Sequence, residues 1–160
     1  MRKKTIEDYV EIIYILQQEK GTVHTNDIAS AFHINPASVT EMFQKLSEEE
    51  YIFYEKYSGV TLTDKGKKVA MKTKKKHDTL KSFLLLLGLD ETIADEDACK
   101  IEHNVNKKTI EKIKKFVEFV KLDEGCTLWL DHFTYFEKTG KYIVCTPKDQ
   151  EKCPIHSKKI

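Results

Sequence analysis

The pair Asn35-Pro36 constrains the fold of this chain most, because it favours the end of one short helix and the start of another. Before it, residues 25–32 carry apolar side chains at helical spacing. Asn35 is a favourable N-cap and Pro36 suits the first helical position, so a second helix is predicted to run to about Glu50. Two short helices joined by a tight corner are typical of a helix-turn-helix.

A β-hairpin is predicted directly after the second helix. Residues 51–57 are β-prone, Ser58-Gly59 is a turn pair, and residues 60–62 form the returning strand. A long helix is predicted to follow over residues 63–87. In this position the hairpin would be the wing of a winged helix-turn-helix.

The rest of the chain is predicted to be mainly helical. Residues 5–18 carry an apolar stripe at helical spacing, and two further helices are predicted over residues 91–104 and 107–121. Residues 122–160 contain three of the four cysteines and no long periodic segment. They are therefore predicted to form a separate C-terminal tail.

Charge and composition exclude several classes of protein. The formal net charge is only +1 over 160 residues, which argues against a wholly basic protein that coats nucleic acid. No apolar run approaches the roughly 20 residues that a membrane-spanning helix needs, and residues 1–4 lack the apolar stretch of a signal peptide behind them. We therefore expect a cytoplasmic protein with no membrane partner. In that reducing compartment the four cysteines are expected to be metal ligands or thiols before disulfides.

The second helix of the motif offers short polar groups to DNA. In a helix-turn-helix, the N-terminal part of this helix enters the major groove. Arg2 is the only arginine, so bidentate contacts to guanine are not expected. A lysine run on the long helix, with one lysine on the wing, suits phosphate contacts, whereas a solvated helix face and a wing used for protein contacts are the alternatives. The candidate DNA-binding residues are Pro36, Ala37, Ser38, Thr40, Gln44, Lys56, Lys65, Lys67 and Lys68.

Three kinds of metal ligand stand close together in the second half of the chain. Cys99, Glu102 and His103 lie at i, i+3 and i+4, so a helix would project all three from one face. A thiolate, a carboxylate and an imidazole together would make half of a metal site. The alternative is a half-buried cysteine beside two exposed polar residues.

A second pair of oxygen donors, Asp8 and Glu11, stands at i and i+3 in the first predicted helix. Asp8 also suits the acidic position of a capping box with Thr5, and Glu11 alone suits an exposed surface. His77 ends the lysine run, where an imidazole suits a DNA contact, an exposed surface or a metal ligand. Spacing leaves these alternatives open.

Five parts of the chain come in a characteristic order and spacing: residues 5–14 (TIEDYVEIIY), 35–40 (NPASVT), 62–66 (LTDKG), His77 and residues 99–103 (CKIEH). Together they resemble the diphtheria-toxin-repressor and manganese-repressor family (DtxR/MntR) over about residues 5–120. The resemblance implies a mainly α fold with a small β wing. A winged helix-turn-helix would be followed by an all-helical metal-binding and dimerisation domain.

The resemblance also implies where the metal ligands stand. The positions at which the manganese-sensing branch places its ligands hold Asp8, Glu11, His77, Glu102 and His103. The manganese branch has a bridging glutamate at position 99, whereas a cysteine such as Cys99 is typical of the iron-sensing branch. The site therefore resembles a hybrid, and a two-metal site is disfavoured. Hard oxygen donors with one soft sulfur favour Fe²⁺, with Mn²⁺ second and Zn²⁺ third.

The function that the resemblance implies is that of a metal-dependent transcriptional repressor. Loaded with a divalent metal, it would bind double-stranded operator DNA as a homodimer and control metal homeostasis. The expected parts are a DNA-binding domain over residues 1–63, a metal-binding and dimerisation domain over 64–121, and the tail over 122–160. A metal-independent winged-helix regulator is the alternative. An enzyme is not expected, because the sequence shows no Gly-rich phosphate loop, nucleophile elbow or triad.

The tail carries a possible second metal site. Three cysteines and one histidine are a known type of structural zinc set, although the gap from Cys145 to Cys153 is wider than the usual finger spacing. The alternatives are a loosely packed extension with incidental thiols, or a redox sensor. The candidate ligands are Cys126, Cys145, Cys153 and His156.

Overall fold

Helices dominate the fold, as the sequence predicts. The computed structural model describes residues 3–122 and 128–143. Within those ranges, a two-stranded antiparallel hairpin stands among the helices. The elements in chain order are α1 (Lys3–Lys20), α2 (Thr25–Phe32), α3 (Pro36–Glu48), β1 (Ile52–Glu55), β2 (Gly59–Leu62), α4 (Asp64–Leu86), α5 (Glu91–Ile101), α6 (Lys107–Leu122) and α7 (Leu128–Thr139).

The corner between α2 and α3 forms as predicted. His33 caps α2 in a left-handed conformation, with φ of 53°. The Asn35 side chain accepts a hydrogen bond from the backbone N–H of Ala37 at 2.8 Å, and Pro36 is the first residue of α3. The helix-turn-helix prediction is therefore confirmed.

The described part of the chain divides into two compact units. One unit holds the residues up to Asp78 together with Ile101–Asn104, and the other holds Thr79–Lys100 with the described residues from Val105 onward. The second unit has a small buried core of its own, which includes Leu80.

The core of the first unit lies between α1, the helix-turn-helix and the hairpin. Val10 and Ile13 of α1 are fully buried there with Phe43 and Leu46 of α3. Burial of this apolar stripe fixes the rotation of α1 about its own axis. The positions of the acidic side chains on α1 are thereby fixed as well.

The hairpin follows α3 directly, as a wing does. Its strands pair antiparallel, with Ile52 opposite Leu62, and the turn comprises residues 56–58. Gly59 is the first residue of β2 rather than part of the turn that the sequence suggests. It has φ of +96°, and a Cβ built on it would lie 2.6 Å from the carbonyl oxygen of Val23. Glycine is therefore required where the wing meets the chain that precedes α2.

Two predicted helix ends were wrong. Because α1 begins at Lys3, Thr5 lies inside the helix and does not form the predicted capping box with Asp8. Because α5 ends at Ile101, Glu102 and His103 lie in a turn rather than on a helical face with Cys99. The backbone N–H of Asn104 donates to the carbonyl of Ile101 at 3.0 Å, a tighter pattern than a continuing α-helix has.

The predicted tail contains a helix that the sequence reading missed. Trp129, Phe133 and Phe136 recur at helical spacing within α7, and they surround a cavity with His132 and Tyr142. The four candidate zinc ligands of the tail lie outside the described residues. In the described ranges, none of the helices combines the length and apolar character that a membrane crossing requires.

Candidate metal centre and DNA-binding surface

Five of the six predicted metal ligands come from three places in the first unit. α1 supplies Asp8 and Glu11, and α4 supplies His77. The turn after α5 supplies Glu102 and His103. Glu102 is only 1% exposed, so its carboxylate lies in the interior of this unit.

Three of these side chains converge on one point. One possible ligand atom from each of Glu11, His77 and Glu102 lies within 4.8 Å of the other two. The Nδ1 atom of His77 is 3.3 Å from Oε2 of Glu102. Two carboxylates and an imidazole at such distances could hold a divalent cation.

Of the remaining predicted ligands, His103 contacts the same buried carboxylate, and Asp8 contacts His103. The Nε2 atom of His103 is 3.0 Å from Oε1 of Glu102 and 2.7 Å from Oδ1 of Asp8. Glu102 therefore faces His77 with one oxygen and His103 with the other. Five of the six residues predicted for the sensing site are brought together in this way.

The buried atoms of this cluster fit a cation better than they fit one another. Within the described residues, both oxygens of Glu102 and Nε2 of His103 are buried without a hydrogen bond of acceptable geometry, despite the short contacts. Buried polar atoms in folded proteins are normally hydrogen-bonded, and leaving them unsatisfied is costly. A cation coordinated by these atoms would satisfy all three.

Burial and repulsion between like charges make the acidic groups of the candidate metal centre hard to ionise. Burial raises the pKa of Glu11 to about 8, with help from the negative charge of the neighbouring Glu102, although His77 acts against this. Burial also raises the pKa of Asp8, and the positive charge of His103 opposes that rise. A divalent cation would remove the repulsion that produces these shifts.

Cys99 is the one predicted ligand of the sensing site that does not belong to the first unit. Cys99 lies in the last turn of α5, its residue is exposed, and it belongs to the second unit. In the described ranges, the group of mutually close ligand atoms consists of Glu11, His77 and Glu102 without this thiol.

Glu7 was not among the predicted ligands, but its carboxylate also contacts this cluster. It is 8% exposed, and its Oε2 atom lies 2.8 Å from Nδ1 of His103 and 3.6 Å from Nζ of Lys76. The signal that could have revealed it is its place three residues before Val10, which puts a carboxylate beside the apolar stripe of α1.

The candidate DNA-binding residues mostly lie at the surface. On α3, Pro36, Ala37, Ser38 and Gln44 are exposed, whereas Thr40 is half-buried. The hydroxyl of Thr40 donates to the backbone carbonyl of Pro36 at 3.1 Å, which leaves the hydroxyl oxygen able to accept. This end of α3 is therefore accessible to a large partner.

The lysines of the candidate surface are not equivalent. Lys56, Lys67 and Lys68 are exposed. Lys65 is exposed as well, but it donates to the backbone carbonyl of Glu49 at 2.7 Å, and its Nζ atom lies 4.2 Å from the ring centre of Tyr51. Lys65 therefore ties the start of α4 to the segment between α3 and the wing.

Comparison with known families accounts for both halves of the chain. Residues 1–60 match the N-terminal DNA-binding domain of the iron-dependent repressors, and residues 63–127 match their metal-binding and dimerisation domain. The chain belongs to the iron-dependent repressor family. It is a metal-dependent transcriptional repressor with a winged helix-turn-helix, and members of this family are transcriptional regulators rather than enzymes.

Individual relatives agree with this assignment. The chain is 42% identical over 125 residues to the HTH-type transcriptional regulator MntR of Bacillus velezensis. The match covers 78% of this chain and 88% of the relative. The chain is 41% identical over 125 residues to the regulator of the same name from Bacillus subtilis, with the same coverage.

Solved structures share the fold. The manganese regulator SloR is 30% identical with a TM-score of 0.63, covering 71% of this chain and 54% of that one. A manganese-dependent transcriptional repressor in complex with manganese is 26% identical with a TM-score of 0.66, covering 71% and 53%. The chain thus spans about half the length of these solved proteins.

Proposed function

We propose that a divalent cation binds among the five converging residues and that its binding switches the chain to its DNA-binding form. The observation that carries the proposal is the convergence of nitrogen and oxygen atoms on the buried carboxylate of Glu102. The proposed ligands are Asp8, Glu11, His77, Glu102 and His103.

The proposed switch acts through α1. The apolar face of α1 packs in the core that also contains α3, and its Asp8 and Glu11 face the metal centre. A bound cation would hold α1 against His77 of α4 and against the turn that holds Glu102. In a homodimer this would fix the spacing of the two recognition helices, which must match half-sites about 34 Å apart.

We propose Mn²⁺ as the activating metal, with Fe²⁺ second and Zn²⁺ third. The sequence reading favoured Fe²⁺ because it counted the soft sulfur of Cys99 among the ligands. The converging group offers carboxylate oxygens and imidazole nitrogens, which suit Mn²⁺ and Fe²⁺. Two similar solved proteins are described as manganese-dependent or manganese regulators, and a similar protein, ScaR, has been solved with bound Zn²⁺.

The proposed partner is double-stranded operator DNA, bound in the cytoplasm by a homodimer. The exposed N-terminal part of α3, which includes Ser38 and Gln44, would reach base edges in the major groove. The exposed lysines of the wing and α4 would contact phosphates. The DNA-binding domain is proposed to end near residue 63, the metal-binding and dimerisation domain near residue 121.

An anaerobic DNA-binding titration tests this function. The probe is a duplex selected from random sequence in the presence of Mn²⁺. We expect Mn²⁺ to tighten binding of the wild-type chain by roughly 5- to 150-fold, the range typical of allosteric coupling. Glu102→Gln keeps the side-chain volume but removes the charge, so the Mn²⁺ effect should disappear.

The matched control is Glu19→Gln, which changes an exposed glutamate on α1 and should retain the full Mn²⁺ effect. Equal DNA affinity in Mn²⁺ and in chelator would contradict the proposal. That result would favour the metal-independent winged-helix regulator instead.

A further inference from the structure

Two consecutive residues of α1 contact the two ring nitrogens of His103. The Oε2 atom of Glu7 lies 2.8 Å from Nδ1, and the Oδ1 atom of Asp8 lies 2.7 Å from Nε2. The imidazole is 2% exposed, so water has little access to either nitrogen. Because only the contact of Nδ1 with Glu7 has hydrogen-bond geometry, Glu7 is the carboxylate placed to set which nitrogen carries the proton.

A neutral imidazole can donate through only one of its nitrogens, while an ionised carboxylate only accepts. Of the two close contacts, the one between Nδ1 and Glu7 is a hydrogen bond, whereas Nε2 faces Asp8 without hydrogen-bond geometry. With the proton on Nδ1, the lone pair of Nε2 and the carboxylate of Asp8 would both be available to hold a cation. The contact between Nδ1–H and Glu7 is the one compatible with metal binding.

Lys76 supports Glu7 in this role. Its Nζ atom lies 3.6 Å from Oε2 of Glu7, and the two side chains are 18% and 10% exposed. Partial burial strengthens the attraction between these charges, which offsets the cost of placing a carboxylate in the interior. Glu7 can therefore remain an acceptor beside the metal centre.

We propose that Glu7, assisted by Lys76, is a positioning residue that holds His103 as the Nδ1–H tautomer and so presents the Nε2 lone pair to the cation. Histidine ligands commonly donate their second nitrogen to a carboxylate, which fixes the ring and raises its basicity. The inference rests on the proposed function in taking Nε2 as a ligand atom. The tautomer itself is a property of the metal-free chain.

Nitrogen NMR of the metal-free protein tests the tautomer directly. At a pH where the imidazole is neutral, ¹⁵N shifts should show His103 of the wild type protonated at Nδ1. Glu7→Ala removes the acceptor, so the Nε2–H tautomer should gain population. Glu7→Gln should keep the Nδ1–H tautomer, because its amide oxygen still accepts. The control is Glu19→Ala, an exposed site on the same helix.

Direct Mn²⁺ titration, with free Mn²⁺ measured by electron paramagnetic resonance, tests the consequence. Loss of an outer partner of a metal-binding histidine typically weakens affinity about 10- to 100-fold. We expect a loss of that size in Glu7→Ala, partial recovery in Glu7→Gln, and wild-type affinity in Glu19→Ala. A merely structural role for Glu7 would not give this order together with the change of tautomer.

The two proposals fail in different ways. An unchanged His103 tautomer in Glu7→Ala, or unchanged Mn²⁺ affinity in that variant, would overturn the positioning role. Glu7→Gln preserves the side-chain volume, so it keeps the test valid if Glu7→Ala folds poorly. Loss of both the Nδ1–H tautomer and the Mn²⁺ affinity in Glu7→Gln would also overturn the positioning role. A wild-type chain that binds no Mn²⁺ would overturn the proposed function instead.

Discussion

At the scale of single residues, the metal centre gathers carboxylates that repel one another. Glu11 shows the effect most clearly, since burial and the neighbouring charge of Glu102 raise its pKa from 4.5 to about 8. Folding thus acts against the ionisation that metal binding requires. Bringing these carboxylates together without a metal lowers the free energy of unfolding, and a bound cation would offset that loss.

The raised pKa of Glu11 predicts how pH affects the metal-free protein. The folded state holds this proton more tightly than the unfolded state, so the contribution of Glu11 to stability is full below pH 4.5 and is lost as pH rises to about 8. We expect urea denaturation in chelator to show a falling unfolding free energy across that window. In Glu11→Gln the fall should be shallower.

Glu19→Gln serves as the control for a general effect of removing a carboxylate from α1. It should follow the wild-type pH profile. Parallel profiles for the wild type and Glu11→Gln would show that the charge of Glu11 is not destabilised in the folded chain.

Cys99 provides a second prediction at this scale. Because the group of mutually close ligand atoms among the described residues consists of Glu11, His77 and Glu102, Cys99→Ser is expected to leave Mn²⁺ affinity close to that of the wild type. Competitive titrations of Mn²⁺, Fe²⁺ and Zn²⁺ on both proteins would measure this. A selective loss of Fe²⁺ and Zn²⁺ affinity would identify the thiol as a ligand and restore the preference for Fe²⁺.

Residue types suggested most of the side chains that lie around Glu102, but not all of them. The pairs Asp8 with Glu11 and Glu102 with His103 suggested ligands by spacing, and the family resemblance added His77. Glu7 was not among the predicted ligands, because a carboxylate beside the apolar stripe of a helix is a weak signal on its own. Only the folded chain shows that its carboxylate meets Nδ1 of His103, 96 positions away.

At the scale of elements, the wing depends on a close approach between backbones. Val60 donates its backbone N–H to the carbonyl of Val23 at 2.8 Å, which adds a third short segment beside the hairpin. Gly59, with φ of +96°, makes this approach possible because it lacks a Cβ. The wing is thereby joined to the chain that leads into α2.

Substitution of Gly59 tests this junction. Gly59→Ala places a Cβ 2.6 Å from the Val23 carbonyl and also strains the backbone, so we expect a loss in unfolding free energy above the roughly 1 kcal/mol of backbone strain alone. Gly21→Ala is the matched control, with φ of +79° and open space around its Cβ. Equal losses of unfolding free energy in the two variants, measured by urea denaturation, would show that the close approach is not the cause.

The lysines of α4 differ in their surroundings, and this predicts different effects on DNA binding. Lys68 is exposed, so Lys68→Ala should reduce the slope of log affinity against log salt by about 1. Lys65 is held by the Glu49 carbonyl and the Tyr51 ring, so Lys65→Ala should change that slope less and lower the thermal stability more. The same slope change in both variants would contradict this distinction.

Elements with strong local signals were predicted well, and those without were not. The corner at Asn35-Pro36 has a cap and a proline that act locally, so α3 begins where the sequence predicts. The end of α5 has no such signal, and the helix ends at Ile101, before the predicted residue 104. The helix α7 was not predicted, because residues 122–160 show no long periodic segment in the sequence.

At the scale of the whole molecule, the order of elements could be predicted from sequence, whereas the convergence of distant residues could not. The winged helix-turn-helix follows from local patterns in consecutive segments. The candidate metal centre joins residues near positions 8, 77 and 102, and no pattern of spacing predicts that these residues meet. The family resemblance implies this set of ligands, and that they bind a metal stays a prediction.

The central claim is that metal binding and DNA binding are coupled through this centre, and a thermodynamic cycle tests it most directly. DNA affinity is measured with and without saturating Mn²⁺, and Mn²⁺ affinity with and without the selected duplex, on the wild type and on Glu102→Gln. Because coupling is reciprocal, we expect the same factor, roughly 5- to 150-fold, in both directions for the wild type and none for the variant. A wild-type chain whose DNA affinity is the same in Mn²⁺ and in chelator would contradict the account.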